Sequence, residues 1–122
     1  MTPEMAAFLT ERHLGFLVTQ RADGSPHSVP VGFSYDATTS TVRIISAARS
    51  QKVKNAELGQ RAVVSQVDGG RWLSLEGTPI VRNDPESVAL AEAAYTARYQ
   101  EPRPRNDRVA IEIRVDRILG RA

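Results

Sequence analysis

The chain has 122 residues, a length that suits one domain with one core and leaves little room for a deep private cavity. Lys and Arg total 16 against 14 Asp and Glu, an excess too small and too dispersed to mark a nucleic-acid surface. There is no cysteine, which excludes disulfides, thiolate chemistry and cysteine-based zinc sites, and no apolar run approaches the ~20 residues of a membrane span.

Met1-Thr2-Pro3-Glu4 is acidic where a signal sequence would be basic, so a soluble, cytoplasmic protein is expected. Thr2 is placed to cap a helix with Pro3 at its first position, running to about Arg12. His13 to Gln20 reads as a strand. Asp23-Gly24 then makes a hairpin turn, because both positions tolerate positive φ. Pro26 to Tyr35 returns as a second strand, and Thr41 to Ala47 follows as a third. Ser50 opens a short helix, Gln51 to Leu58, stopped by Gly59. Arg61 to Val67 is the fourth strand. Asp68-Gly69-Gly70 turns the chain into the fifth, Arg71 to Arg82, where Gly77 and Pro79 suggest a bulge or an edge. Asp84 caps a helix with Pro85 at its start, continuing to about Tyr99. Pro102 and Pro104 stiffen a basic loop. In the last strand Val109, Ile111, Ile113 and Val115 alternate with Ala110, Glu112, Arg114 and Asp116, a period of two with one buried face. Six strands joined mostly by hairpins, with three short helices, predict a mainly β domain over residues 1–122: a closed or partly closed antiparallel barrel.

No phosphate loop or dinucleotide fingerprint is present, and no serine sits in a nucleophile-elbow pattern. His13 and His27 lie in separate strands without metal-ligand spacing, so no metal is expected. Three segments carry chemistry. In Ser46-Ala47-Ala48-Arg49-Ser50-Gln51-Lys52-Val53-Lys54-Asn55 a strand ends and a helix begins with cations in its first turn. These oppose the helix dipole unless an anion is present, so a phosphate clamp and an ordinary solvated helix start both remain open. Trp72, after the Asp68-Gly69-Gly70-Arg71 turn, suits either a core anchor or a cover over a planar ring. His27-Ser28-Val29-Pro30 disturbs its ladder with proline, as an edge strand or a ligand-approach site would.

Together the Asp-Gly turn, Pro26-His27, Ser50-Gln51-Lys52 with Asn55, and Gly70-Arg71-Trp72-Leu73-Ser74-Leu75-Glu76-Gly77 resemble the split β-barrel flavin and deazaflavin oxidoreductases, which include pyridoxamine 5′-phosphate oxidase. Phe8 to Leu14, Ser65 to Gly69, Arg98-Tyr99 and Pro102-Arg103-Pro104 are similar to the branch of F-420-dependent biliverdin reductases. The resemblance implies a homodimer with cofactors in grooves between subunits. It implies that Ser50, Gln51, Lys52 and Asn55 surround the tail of coenzyme F-420, or of FMN as the alternative. It sets His27, Ser28, Val29, Pro30, Ile45, Ser46, Ala47, Ala48 and Arg49 along the ring and linker. Gln66, Asp68, Arg71 and Trp72 are expected to face the groove. No residue need act as nucleophile, since the cofactor donates hydride and the protein positions it. Arg103, Arg105 and Arg108 are candidates for the carboxylates of a substrate such as the tetrapyrrole biliverdin. The expected function is thus an F-420-dependent reductase. A non-catalytic F-420 or FMN carrier or sensor, or an FMN-dependent oxidase, is the alternative.

Overall fold

The computed structural model describes all 122 residues. In chain order they form α1 (Pro3–Phe8), β1 (Gly15–Gln20), β2 (Pro26–Val31), β3 (Ser34–Asp36), β4 (Thr41–Ala47), α2 (Gln51–Glu57), β5 (Ala62–Asp68), β6 (Arg71–Arg82), α3 (Pro85–Arg98) and β7 (Arg108–Arg121). The seven strands make one antiparallel sheet in the order β2-β1-β5-β6-β7-β4-β3.

The expected six strands are therefore seven, and the expected barrel is an open sheet. The extra strand comes from a break in the predicted run Pro26 to Tyr35. At Gly32 a Cβ would lie 2.8 Å from the Tyr95 ring, so only glycine lets α3 pack this closely. At Phe33 both backbone groups leave the ladder. Its N–H donates to the Tyr99 hydroxyl at 3.1 Å, and its carbonyl accepts from Arg98 at 2.7 Å. The two edge strands, β2 and β3, are consecutive in the chain and only two residues apart. The sheet must therefore curl until its edges meet at one corner, although no ladder closes it.

The inside of the curl holds 17 buried residues, among them Phe8, Leu17, Phe33, Ile44, Val64, Leu75, Ile111 and Ile113. A fully buried side chain of this size contributes roughly 1.5–3 kcal/mol. The period of two places them: in β5, Ala62, Val64 and Gln66 point inward, while Val67 is exposed.

Caps follow the sequence. Thr2 Oγ1 accepts from Met5 N–H at 3.1 Å, and the Asp84 carboxylate accepts from Ser87 N–H at 2.9 Å. Two ends differ from expectation. The first helix stops at Phe8, because the Thr10 hydroxyl donates to the Ala7 carbonyl at 2.7 Å and the chain turns Glu11 toward Arg71. The last strand runs on to Arg121, pairing with β6 past a bulge between Glu76 and Gly77. A Cβ on Gly77 would lie 1.9 Å from the Arg114 carbonyl oxygen, so the bulge requires glycine there.

Candidate functional site

The junction of β4 and α2 gathers polar groups that the fold does not consume. Ser50 stands at the helix N-cap, but its side chain makes no capping bond. Its Oγ lies 2.8 Å from Ser46 Oγ instead, so two hydroxyls face one another where the strand ends. One turn on, Lys52 is half-buried and forms no ion pair, and burial pushes its pKa below the ordinary lysine value. Asn55 is buried; its Nδ2 donates to Thr19 Oγ1 at 3.0 Å, and its Oδ1 accepts from Gln51 Nε2 at 2.7 Å. That pair ties α2 to β1 and fixes the helix start.

Thr19 is opposite His27 in the β1–β2 ladder, so the two side chains share a face. His27 Nδ1 is buried and has no hydrogen-bond partner. Through Thr19 and Asn55, an orphaned buried ring nitrogen is joined to the helix that carries an uncompensated lysine, which leaves hydrogen-bonding capacity to spare. Sequence reading missed Thr19; its place among inward positions of β1 was the available signal. Ser28 and Pro30, by contrast, are exposed on the other face, while Val29 packs against the core.

A second basic element adjoins. The Ala48 N–H donates to the Asp107 carbonyl at 2.9 Å, bringing the loop after α3 against the loop before α2. Between them lies an open groove of about 1200 Å³ lined by Ile45, Arg49, Tyr95 and residues 100–108. Arg49 and Arg103 make no ion pair there. Arg105 is held by Asp107 at 2.9 and 3.1 Å. Arg108 is nearly buried, with Glu92 at 2.7 Å and the Arg103 carbonyl at 2.7 Å. Of the three candidate substrate arginines, Arg103 is thus the one with no carboxylate partner.

The remaining expected groove residues lie elsewhere. Gln66 is buried, donating to the Phe8 carbonyl at 2.9 Å and accepting from Arg98, so both ends of its amide are occupied inside the monomer. Asp68 and Arg71 belong to an ion network at the β5–β6 turn. Arg71 reaches Glu11 and Asp68, each at 2.7 Å, and lies 4.4 Å over the Phe8 ring. His13 Nε2 stands 3.3 Å from Glu11 and 3.6 Å from Asp68. Hydrogen bonding from Arg71 holds the Glu11 carboxyl below the usual carboxylate range, and the same contact raises the Arg71 pKa. Glu11, His13 and Asp68 offer three ligand atoms within 4.8 Å, a cluster invisible to residue spacing, but Arg71 already supplies a positive charge to both carboxylates. Trp72 is 41% exposed on the outer face of the sheet, opposite Val67. On the same face Pro30, Phe16 and Leu119 are exposed as well, with the hydrogen-bonded Ser65–Ser74 pair between Phe16 and Leu119.

Such an arrangement defines a class: a small antiparallel β domain with a cation-bearing polar site at a strand-to-helix junction and an uncovered apolar sheet face. The chain belongs to the pyridoxamine 5′-phosphate oxidase family, whose model matches residues 1–122. It is 50% identical over its whole length to an F-420-dependent biliverdin reductase of Mycobacterium tuberculosis, covering 89% of that protein. Among solved structures it is similar to a conserved hypothetical protein of Mycobacterium tuberculosis, with a TM-score of 0.83 and 24% identity over 98% of this chain and 84% of that one. It is also similar to an F-420 reductase, with a TM-score of 0.76 and 24% identity over 93% and 94% of the two chains. No helix is long and apolar enough to cross a membrane.

Proposed function

We propose that this protein is an F-420-dependent reductase whose substrate is biliverdin or a similarly conjugated tetrapyrrole. The observation that carries the reading is the 50% identity, spread over all 122 residues, to a reductase of that name. The site fits an anionic cofactor. Lys52 is a desolvated cation without a counter-charge, and the Ser46 and Ser50 hydroxyls and the His27 ring nitrogen have hydrogen-bonding capacity left over.

Lys52, Ser50 and Gln51 would hold the phosphate-bearing tail, with Asn55 fixing the helix they stand on. Ile45, Ser46, Ala47, Ala48 and Arg49 would follow the linker, and His27 would meet the ring system. Reduced F-420, when bound, supplies a hydride from carbon 5 of its deazaflavin. The residues of the chain orient it, withhold water and bind the acceptor; such positioning accounts for a large share of a barrier. Arg103 would take a substrate carboxylate through its fork.

The cofactor groove is completed by a second copy of the chain. Phe16, Val67 and Trp72, exposed at 52%, 65% and 41%, support this, because large apolar side chains exposed on one face of a small domain call for a covering partner.

The test is to mix the protein with reduced F-420 and biliverdin without oxygen and follow the visible absorbance of oxidised deazaflavin. Substrate-dependent oxidation supports the reading. Tight F-420 binding with no turnover would make the protein a carrier. In a parallel reaction with FMN under air, exclusive FMN binding and oxygen-dependent turnover would make it an oxidase.

A further inference from the structure

A dicarboxylate substrate needs two positive anchors, and the basic loop leaves only one unpaired. Arg105 and Arg108 are committed to Asp107 and Glu92, while Arg103 is unpaired. The second anchor is sought in what adjoins the groove. A smaller pocket of about 310 Å³ lies against it, lined by Arg12, Leu14, Tyr95, Tyr99 and Gln100. Tyr95 and Gln100 line both spaces, so the two are neighbours across a shared wall.

Arg12 has no ion pair. Its one polar contact is a long 3.4 Å hydrogen bond to Gln100 Oε1. Gln100 is three residues before Arg103, which bounds their Cα separation at roughly 10 Å. Because Arg12 reaches the Gln100 side chain, its guanidinium and that of Arg103 stand toward the two ends of this short segment, within reach of one extended ligand. The charge opposing them on this segment is Glu101. Leu14, 63% exposed, gives the small pocket an apolar side.

The wall between the spaces is rigid. The Tyr95 and Tyr99 rings pack against one another, centroids 4.9 Å apart and planes tilted by 41°. The Tyr99 hydroxyl donates to the His13 carbonyl at 2.6 Å and accepts from Phe33 N–H at 3.1 Å. A fixed aromatic wall between two free guanidiniums is prepared for a flat, conjugated body with two carboxylates.

Resting on the reductase reading above, we infer that Arg12 is the second carboxylate anchor of the substrate site, and that the Arg12–Leu14–Tyr95–Tyr99 pocket receives the part of the substrate remote from the cofactor. The step requires no new chemistry, since Arg12 touches a spectator carboxylate and not the reacting carbon.

Steady-state kinetics with reduced F-420 and biliverdin test this. Arg12→Ala should raise KM for biliverdin about tenfold, as loss of a charge-assisted hydrogen bond does, with the effect confined to KM and Kd for F-420 unaltered. Arg12→Lys should recover part of the loss. With the biliverdin dimethyl ester, whose carboxylates are masked, wild type and Arg12→Ala should have the same KM. Leu14→Asp should raise KM for acid and ester alike, which reports use of the pocket independently of Arg12. If wild type turns over biliverdin and Arg12→Ala and Leu14→Asp have normal KM values, this inference is wrong while the reductase reading stands. If wild type does not reduce biliverdin at all, the reading itself fails and the inference falls with it.

Discussion

Replacing Lys52 with alanine separates ligand binding from folding. The ammonium is half-buried and unpaired, so the free protein bears part of its desolvation cost with no return. An anion bound there would supply a charge-assisted hydrogen bond, worth about 1.5–3 kcal/mol. Because the side chain is only partly buried, the lower end applies, and at about 1.4 kcal/mol per decade this is roughly a tenfold loss of affinity. Lys52→Ala should therefore weaken F-420 binding about tenfold in a fluorescence titration at neutral pH, while the unliganded protein loses no stability. The pH dependence has a definite sign. The folded pKa lies below the ordinary lysine value, so between the two the unfolded chain binds more protons and stability without ligand rises with pH. An anion needs the charged form, so F-420 affinity is full below the lowered pKa and falls as pH rises through it. The alanine variant should show neither slope. An unchanged Kd in Lys52→Ala would remove this residue from the site and with it the proposed tail clamp.

Other outcomes follow from the same contacts. Sedimentation should show a dimer at micromolar concentration, and Phe16→Glu, which charges the exposed sheet face, should give monomers that bind F-420 poorly; a monomeric wild type with tight cofactor binding would defeat the shared groove. Arg98→Leu leaves the Gln66 amide oxygen without a donor, and the Glu11 and Phe33 carbonyls with only the His13 N–H and the Tyr99 hydroxyl. At about 1–3 kcal/mol for a buried acceptor left unsatisfied, the urea midpoint should fall by the equivalent of about 2 kcal/mol; an unshifted midpoint would show that water replaces the guanidinium. The Glu11 carboxyl, held low chiefly by Arg71, contributes stability that is complete above its ordinary pKa and lost as pH falls through its folded value. Stability should therefore drop on acidification below about pH 5, and Glu11→Gln should flatten that limb; identical acid profiles would contradict the pairing.

Sequence reading succeeded where structure is local. Asp23-Gly24 and Asp68-Gly69 turn the chain, Thr2 and Asp84 cap helices, and Val109 to Val115 alternates as a strand should. It failed where a distant side chain decides. Nothing near Gly32 and Phe33 announces that Tyr95, Arg98 and Tyr99, more than sixty residues later, will take the backbone bonds and break the strand. The bulge at Gly77 likewise shifts the parity of β7, so its second half could not be read from the alternation of its first. Within the site, the run Ser46 to Asn55 was legible because strand end, helix start and cations are contiguous. Gln66 was the harder case. The resemblance set it along the groove, and the Phe8 carbonyl and Arg98 that satisfy it inside the chain are non-local. The pairing of Arg108 could not be read either, because Glu92 comes from a helix that only the fold sets beside it; Arg105, by contrast, pairs with Asp107 only two residues away.

The two free edges of the sheet have a consequence for how copies of this chain meet. One edge is β3, only three residues long; the other is β2, in which Pro26 and Pro30 lack backbone donors. Neither offers a template long or complete enough for another chain to add itself as a further strand. Growth into fibrils along the hydrogen-bonding direction is therefore blocked at both ends. A newly made chain still has Phe16 and Trp72 in water on the flat of its sheet, and the proposed pairing of two copies would cover that face without using either edge.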